Sequence, residues 1–278
     1  MNFPTPIEDL SRLCIHTQTN RPWDLRQCVA AYHREGIRGI SVWRHLLDQG
    51  ALHDARSILG DHDMKVVSLV RGGFFAAADP QQRKEAIRDN RQAVEEAEQI
   101  GAPLLVLVCG ADPEQSLEHS REQIREGISK VLPAAEAAGI KLAVEPLHPM
   151  YAADRSAIVS LKQANDMVEM IGSAYVGVAI DVFHLWWDPA LEDEIKRCGN
   201  MNRIFAFHIC DWKPGMKDML NDRGIMGEGC IDVKRIRGWV ESAGFRGFHE
   251  VEIFSEHYWA QDQIGYLHAV IDAYRNHT

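Results

Sequence analysis

The stretch Glu136–Pro149, EAAGIKLAVEPLHP, decides the fold. It joins a helix end, a glycine, a short apolar run and a carboxylate. Gly139 follows Ala138 where a left-handed helix cap favours glycine. Lys141–Glu145 then has the length and apolar content of a buried strand, and Glu145 stands at its end. The same helix–Gly–strand phrase recurs at Glu35-Gly36, Ile100-Gly101 and Ala243-Gly244. Working outward gives eight strand candidates: Leu13–Thr17, Gly39–Trp43, Lys65–Val70, Leu104–Val108, Lys141–Glu145, Val176–Asp181, Ile204–His208 and Phe248–Ile253. Helical patterns alternate with them, most clearly over Pro80–Ile100, Pro113–Ala138, Ser160–Ile171, Ile231–Ala243 and Glu256–Arg275. In the first of these Ala86, Ala93, Ala97 and Ile100 recur at helical spacing between charges.

Eight such units predict an α/β fold of one kind, a single (β/α)₈ TIM barrel occupying residues 1–278 as one domain, since barrels of about 250 residues form one domain. A doubly wound open sheet would carry a glycine-rich phosphate loop after its first strand. The residues there are His16-Thr17-Gln18-Thr19-Asn20, without glycine, which favours the barrel.

The totals narrow the function. Forty acidic against 30 basic residues give a net charge of −10, which disfavours a polyanionic partner such as DNA. The six cysteines form no C-x-x-C pair, so neither a zinc ribbon nor a thioredoxin-like motif is present, and they suit a reducing compartment. MNFPTPIEDLSRL lacks the basic and apolar regions of a signal peptide, and no apolar run approaches the roughly 20 residues of a membrane span. A soluble, cytoplasmic protein with neither nucleic-acid nor membrane partners is expected.

Parallel barrels place reactive groups at the C-terminal ends of their strands. KLAVEPLHP ends its strand at Glu145, VGVAIDVFHLWWD at Asp181, RIFAFHICDW at His208, and GFHEVEIFSE at Glu250 or Glu252. The last two share strand parity, and Glu252 lies nearer the C-terminal end. Each successive group is about one strand–helix unit further on, so groups distant in sequence meet on one rim. Crowded carboxylates raise one another's pKa values, a conflict that a divalent cation removes. One nitrogen and several oxygens suit one Mn²⁺ ion best, with Mg²⁺, Co²⁺ or Zn²⁺ accommodated. Any one acidic strand end reads equally well as a cap or a loop salt bridge; three acids and a histidine on four consecutive strands do not.

AVEPLHP, AIDVFH, FHICDW and VEIF, with Gly227-Glu228-Gly229 between the last two, resemble the xylose isomerase-like barrel superfamily of sugar phosphate isomerases and epimerases. Ketose 3-epimerases, hydroxypyruvate isomerase, inosose isomerases and dehydratases, and endonuclease IV are members. The resemblance covers essentially the whole chain and is most specific from Lys141 to Phe254. It implies Glu145, Asp181, His208 and Glu252 as metal ligands, and so selects Glu252 over Glu250. It also implies Glu145 and Glu252 as catalytic acid and base on opposite faces of a sugar. The implied reaction abstracts a proton beside a carbonyl and passes through an enediolate.

His184 matches a substrate-contacting histidine of that family. His148, Arg155, Trp186, Trp187 and Trp212 lie in the following loops; Arg155 and His148 are suited to substrate hydroxyls or a carboxylate, and the tryptophans to a sugar face or to plain core. Asp211 is placed to orient the His208 imidazole or to contact substrate. His16, Trp43 and Arg71 end the first three strands and complete the pocket wall. The loops after the fifth strand and after the histidine strand, His148-Pro149-Met150-Tyr151 and Ile209-Cys210-Asp211-Trp212-Lys213, lack the glutamate and arginine of the ketose 3-epimerases. Gly227-Glu228-Gly229 offers backbone amides to a phosphate, but Glu228 repels an anion, which favours a non-phosphorylated sugar-like substrate. A lyase acting on a keto-inositol, a dehydroshikimate-like acid or a 3-keto-glycoside shares the first step; an endonuclease IV-like repair enzyme and a non-catalytic binding barrel are the remaining alternatives. Homo-oligomers are common in the superfamily, and the sequence leaves the oligomeric state open.

Overall fold

A computed structural model describes residues 7–47 and 51–278; the first residues of the N-terminal stretch read above, 1–6, lie outside it. Eight parallel strands close in sequence order: β1 (Leu13–His16), β2 (Gly39–Trp43), β3 (Lys65–Gly73), β4 (Leu104–Val108), β5 (Lys141–Glu145), β6 (Val176–Asp181), β7 (Ile204–Ile209) and β8 (His249–Val251). The surrounding helices are α1 (Leu25–Arg34), α2 (Ala51–Gly60), α3 (Pro80–Ile100), α4 (Leu117–Ala138), α5 (Leu161–Ile171), α6 (Val182–Leu185), α7 (Leu191–Asn200), α8 (Val233–Ser242), α9 (Glu256–Trp259) and α10 (Gln263–His277). This is the expected (β/α)₈ barrel. No helix among the described residues is long and apolar enough to cross a membrane.

The helix–Gly–strand phrase has the anticipated cause. Gly36, Gly101, Gly139 and Gly244 all adopt positive φ, which side chains resist. Most of the apolar core lies between strands and helices. A smaller cluster of Val70, Leu104, Val106, Ala143, Ala179 and Ala206 fills the barrel interior. Beside it sits a polar layer: Ser41 Oγ donates to Glu250 Oε2 at 2.7 Å, Ser68 Oγ approaches it at 3.3 Å, and Cys14 Sγ lies 3.3 Å from Ser41 Oγ.

Several element boundaries differ from expectation, four of them with a visible cause or consequence. β3 runs on past Val70 to Gly73, because the buried Asn90 amide accepts the Gly73 N–H at 2.7 Å and donates to its carbonyl at 2.8 Å. A Cβ at Gly73, where φ is +110°, would meet the Val108 carbonyl oxygen at 1.9 Å. β8 is shorter than Phe248–Ile253, yet the Glu252 N–H still donates to Ile209 O at 3.1 Å, which carries the pairing one residue further. α4 begins at Leu117 rather than Pro113, behind a Ser116 cap. Glu256–Arg275 divides into α9 and α10: Gln263 Nε2 donates to the carbonyls of Tyr258 and Gln261, ending α9, while Asp262 caps α10.

Candidate active site and metal centre

Register brings the four rim residues together. Glu145 ends β5 beside Val108, and Asp181 pairs directly with His208 across β6 and β7. All four are buried, at 4% exposure or less. One ligand atom from each of Glu145, Asp181, His208 and Glu252 lies within 4.8 Å of the others. His208 Nδ1 is 2.9 Å from Glu145 Oε1 and 3.9 Å from Glu252 Oε2. His16, His208 and Glu252 form a second, overlapping trio.

Sequence reasoning missed the residue that binds this cluster. Arg223, 3% exposed, donates through Nη1 to Asp181 Oδ2 and Glu252 Oε2, each at 3.1 Å, while Nη2 lies 3.2 Å from His184 Nε2. Its guanidinium sits between the Phe183 and Phe254 rings. It stands well beyond the Lys213 at which the loop was read, and the only local signal is an arginine between turn residues in Asn221-Asp222-Arg223-Gly224. Glu250, the rejected alternative on β8, points into the barrel interior: its Oε2 lies 3.3 Å from His16 Nε2 and 3.8 Å from His208 Nε2.

Burial, opposed by Arg223 and reinforced by Glu252 and Glu145, lifts the Asp181 carboxyl to about 7. Burial also pushes Glu252 upward, but His16 and Arg223 outweigh it and hold Glu252 well below the usual carboxylate range. For His208 burial disfavours the cation, yet the Glu145 hydrogen bond and the charges of Glu250, Glu145 and Glu252 raise it to about 10. Burial and Arg223 together depress His184 far below the usual imidazole value.

These residues fit a divalent cation. Three buried carboxylates gather about one imidazole, each group offering a ligand atom within 4.8 Å of the others. Buried carboxylates without compensation are costly, and oxygen with nitrogen is a donor set that Mn²⁺, Mg²⁺, Co²⁺ and Zn²⁺ accept.

A cavity of about 230 Å³ opens onto Glu145 and Glu252. Trp43, Arg71, Arg155 and His184 line it as anticipated, and Tyr151, Arg223 and Phe254 add to the wall. His16 lies beneath, fully buried, with Nδ1 3.0 Å from Glu252 Oε1. Other expected contacts are absent from the lining. His148 caps a 3₁₀ turn, its Nδ1 accepting the Met150 N–H at 3.2 Å. Its ring packs 5.0 Å from Trp212, which stacks on Phe183 and tilts against Trp186. His148, Trp186 and Trp212 thus form an aromatic buttress beside the cavity. Asp211 does not orient His208. Its Oδ2 accepts the amides of Gly227 and Gly229 at 2.9 Å, and its Oδ1 those of Trp212 and Ile231 at 2.8 and 3.0 Å. The amides that Gly227-Glu228-Gly229 was read as offering to a phosphate are therefore already taken. Glu228 itself accepts from Ile225 N at 2.9 Å and from the Tyr258 hydroxyl.

Residues 29–270 match the model of the xylose isomerase-like TIM barrel family. An inosose isomerase of Bacillus velezensis is 24% identical over 258 residues, covering 89% of this chain and 90% of its own. A crystal structure of a Sinorhizobium meliloti protein superposes with a TM-score of 0.94 at 45% identity, covering 97% of this chain and 99% of that one. A zinc-bound IolI protein superposes with a TM-score of 0.83 at 21% identity, covering 96% and 99%, a likeness of fold. With its barrel, its rim and these relatives in view, the chain belongs to the xylose isomerase-like TIM barrel family.

Proposed function

We propose that this protein is a divalent-metal-dependent isomerase or epimerase of a non-phosphorylated sugar, keto-sugar or related polyol, acting by proton abstraction next to a carbonyl. The observation that carries the reading is the pair Glu145 and Glu252, two buried carboxylates facing one cavity on a rim shared with Asp181 and His208. The name of the Bacillus velezensis relative, an inosose isomerase, supports the class of reaction.

Glu145, Asp181, His208 and Glu252 would hold the ion, Mn²⁺ before Mg²⁺, Co²⁺ or Zn²⁺. When bound, it supplies Lewis-acid polarisation of a substrate carbonyl and its neighbouring hydroxyl. Glu252, kept ionised by His16 and Arg223, is suited to remove the acidified proton, and Glu145 to return one to the opposite face. Arg223 and His184 fix the carboxylates and close the floor of the cavity. Trp43, Phe254 and Tyr151 give the substrate an apolar, water-poor wall.

The test is isotope exchange. Mn²⁺-loaded protein incubated in D₂O with a panel of keto-sugars and keto-polyols should place deuterium at a carbon beside the carbonyl. Glu145→Gln and Glu252→Gln should slow that exchange by about 10²–10⁴. Formation of an unsaturated carbonyl product would assign the same first step to a lyase, and absence of exchange with every substrate would overturn the reading.

A further inference from the structure

Three arginines line the candidate cavity, and only one has a use within the fold. Arg223 is committed to Asp181 and Glu252. Arg71 and Arg155 have no side-chain hydrogen bond and no ion pair among the described residues. Each is half-buried with its guanidinium beside an aromatic ring, Arg71 at 4.3 Å from the Phe74 ring centre and Arg155 at 5.6 Å from that of Tyr151. A cation–π contact of this kind attracts the charge without using the guanidinium N–H donors.

The nearby acids are spoken for. Arg44 takes both Asp89 oxygens at 2.9 and 3.0 Å and both Glu96 oxygens at 2.7 and 3.2 Å. Glu145 attracts Arg71 without forming an ion pair with it, and belongs to the rim. Burial, and then the positive charge of Arg155, make the Arg71 cation less comfortable than an ordinary arginine, and Arg44 adds to the repulsion. Two like charges near one another without an ion-pair partner carry a cost that the longer-range attraction of Glu145 and Asp89 offsets only in part.

Charge balance points the same way. A divalent ion with Arg223 offsets the three rim carboxylates, so Arg71 and Arg155 leave the cavity with two surplus positive charges. The usual barrel cup for a phosphate, the loop after β7, is closed by the Asp211 carboxylate, and a Cβ at Gly229 would already meet Trp212 O at 2.1 Å. What remains is two guanidinium groups lining one cavity with their N–H donors unused, a donor set suited to a carboxylate.

We propose that Arg71 and Arg155 form a carboxylate clamp, and that the substrate is a keto-sugar acid or related polyhydroxy keto acid, bound by its carboxylate at the arginines and by its keto end at the rim. The proposal deepens the isomerase reading above and, for the orientation of the substrate, rests on it.

The experiment measures binding and turnover separately. Mn²⁺-loaded protein is titrated calorimetrically with fructose and tagatose, each offered as the free sugar, the 6-phosphate and the uronate with a terminal carboxylate. Deuterium exchange is followed with the same compounds. The uronates should bind at least about a hundredfold more tightly than the free sugars, and their uncharged amides should lose that advantage in the wild-type protein, a comparison that needs no variant to fold. Arg71→Met and Arg155→Met should each lower the acid-to-neutral ratio by about ten- to a hundredfold, the range expected for losing one charge-assisted hydrogen-bond donor, and Arg71→Lys should restore part of it. Equal binding of acid and neutral sugars, tightest binding of the 6-phosphates, binding of none of the panel, or an unchanged ratio in both variants would overturn the clamp. Acid binding without exchange leaves the clamp standing and removes the proton-abstraction reading; exchange with free sugars and no preference for acids does the reverse.

Discussion

At the scale of single residues, Arg223 is the hinge of the site. It is buried against two of the four rim carboxylates and touches His184 through its other arm. Removing one partner from such a buried set leaves charge uncompensated, at a cost of about 3–5 kcal/mol. Arg223→Met is therefore expected to lower the unfolding free energy of the metal-free protein by that amount in urea titration, with a smaller loss when Mn²⁺ is present to offset Asp181 and Glu252. Equal losses with and without metal would show that Arg223 acts by packing alone. The rim residues were legible in the sequence because each lies at or within one residue of a strand's C-terminal end, and strand ends can be counted. Arg223 was not, because a long loop carries no periodicity that says which of its side chains turns inward. Asp211 was misread for a related reason. An acid next to a histidine strand looks like an orienting group, whereas in the fold it answers backbone amides that lie up to 20 residues further along the chain.

At the scale of elements, the end of β3 shows what positions the cavity wall. Asn90 on α3 binds both backbone groups of Gly73 and so extends the strand beyond Val70, which places Arg71 within it rather than at its end. Asn90→Ala would leave that N–H and carbonyl buried and unpaired and should cost roughly 2–3 kcal/mol, read from thermal or urea unfolding. A variant as stable as the parent would mean that water replaces the amide. The barrel order and the glycine caps were readable from the repeated helix–Gly–strand phrase, since cap geometry is a local property of few residues. The division of the last helical pattern into α9 and α10 was not, because the break is made by Gln263 reaching back to carbonyls of the preceding turn, and the helical periodicity runs straight through it.

At the scale of the whole molecule, metal and protons compete for one site. Asp181 at about 7 and His208 at about 10 both sit above their ordinary values in the metal-free protein. For His208 a raised folded value stabilises the fold fully below about pH 6.5, and that contribution is lost as pH climbs towards 10. For Asp181 a raised folded value costs stability once pH passes the ordinary carboxyl range, a cost complete above about 7. Both trends weaken the metal-free protein as pH rises, while the ligands needed by a metal become available. The gap between metal-loaded and metal-free melting temperatures should therefore widen from about pH 6 to pH 9. Near neutrality, Mn²⁺ binding should release between about one and two protons, seen as a calorimetric heat that scales with the ionisation enthalpy of the buffer. A gap that narrows with pH, or a heat independent of buffer, would contradict this linkage.

The central claim is that one divalent ion sits where β5, β6, β7 and β8 end. Anomalous diffraction at the manganese edge from crystals grown with Mn²⁺ addresses it directly. The account predicts a single peak bonded by Glu145, Asp181, His208 and Glu252 at about 2.0–2.3 Å. A peak held by His16, His208 and Glu252 with Glu145 and Asp181 unbound, or no peak on this rim, would contradict it.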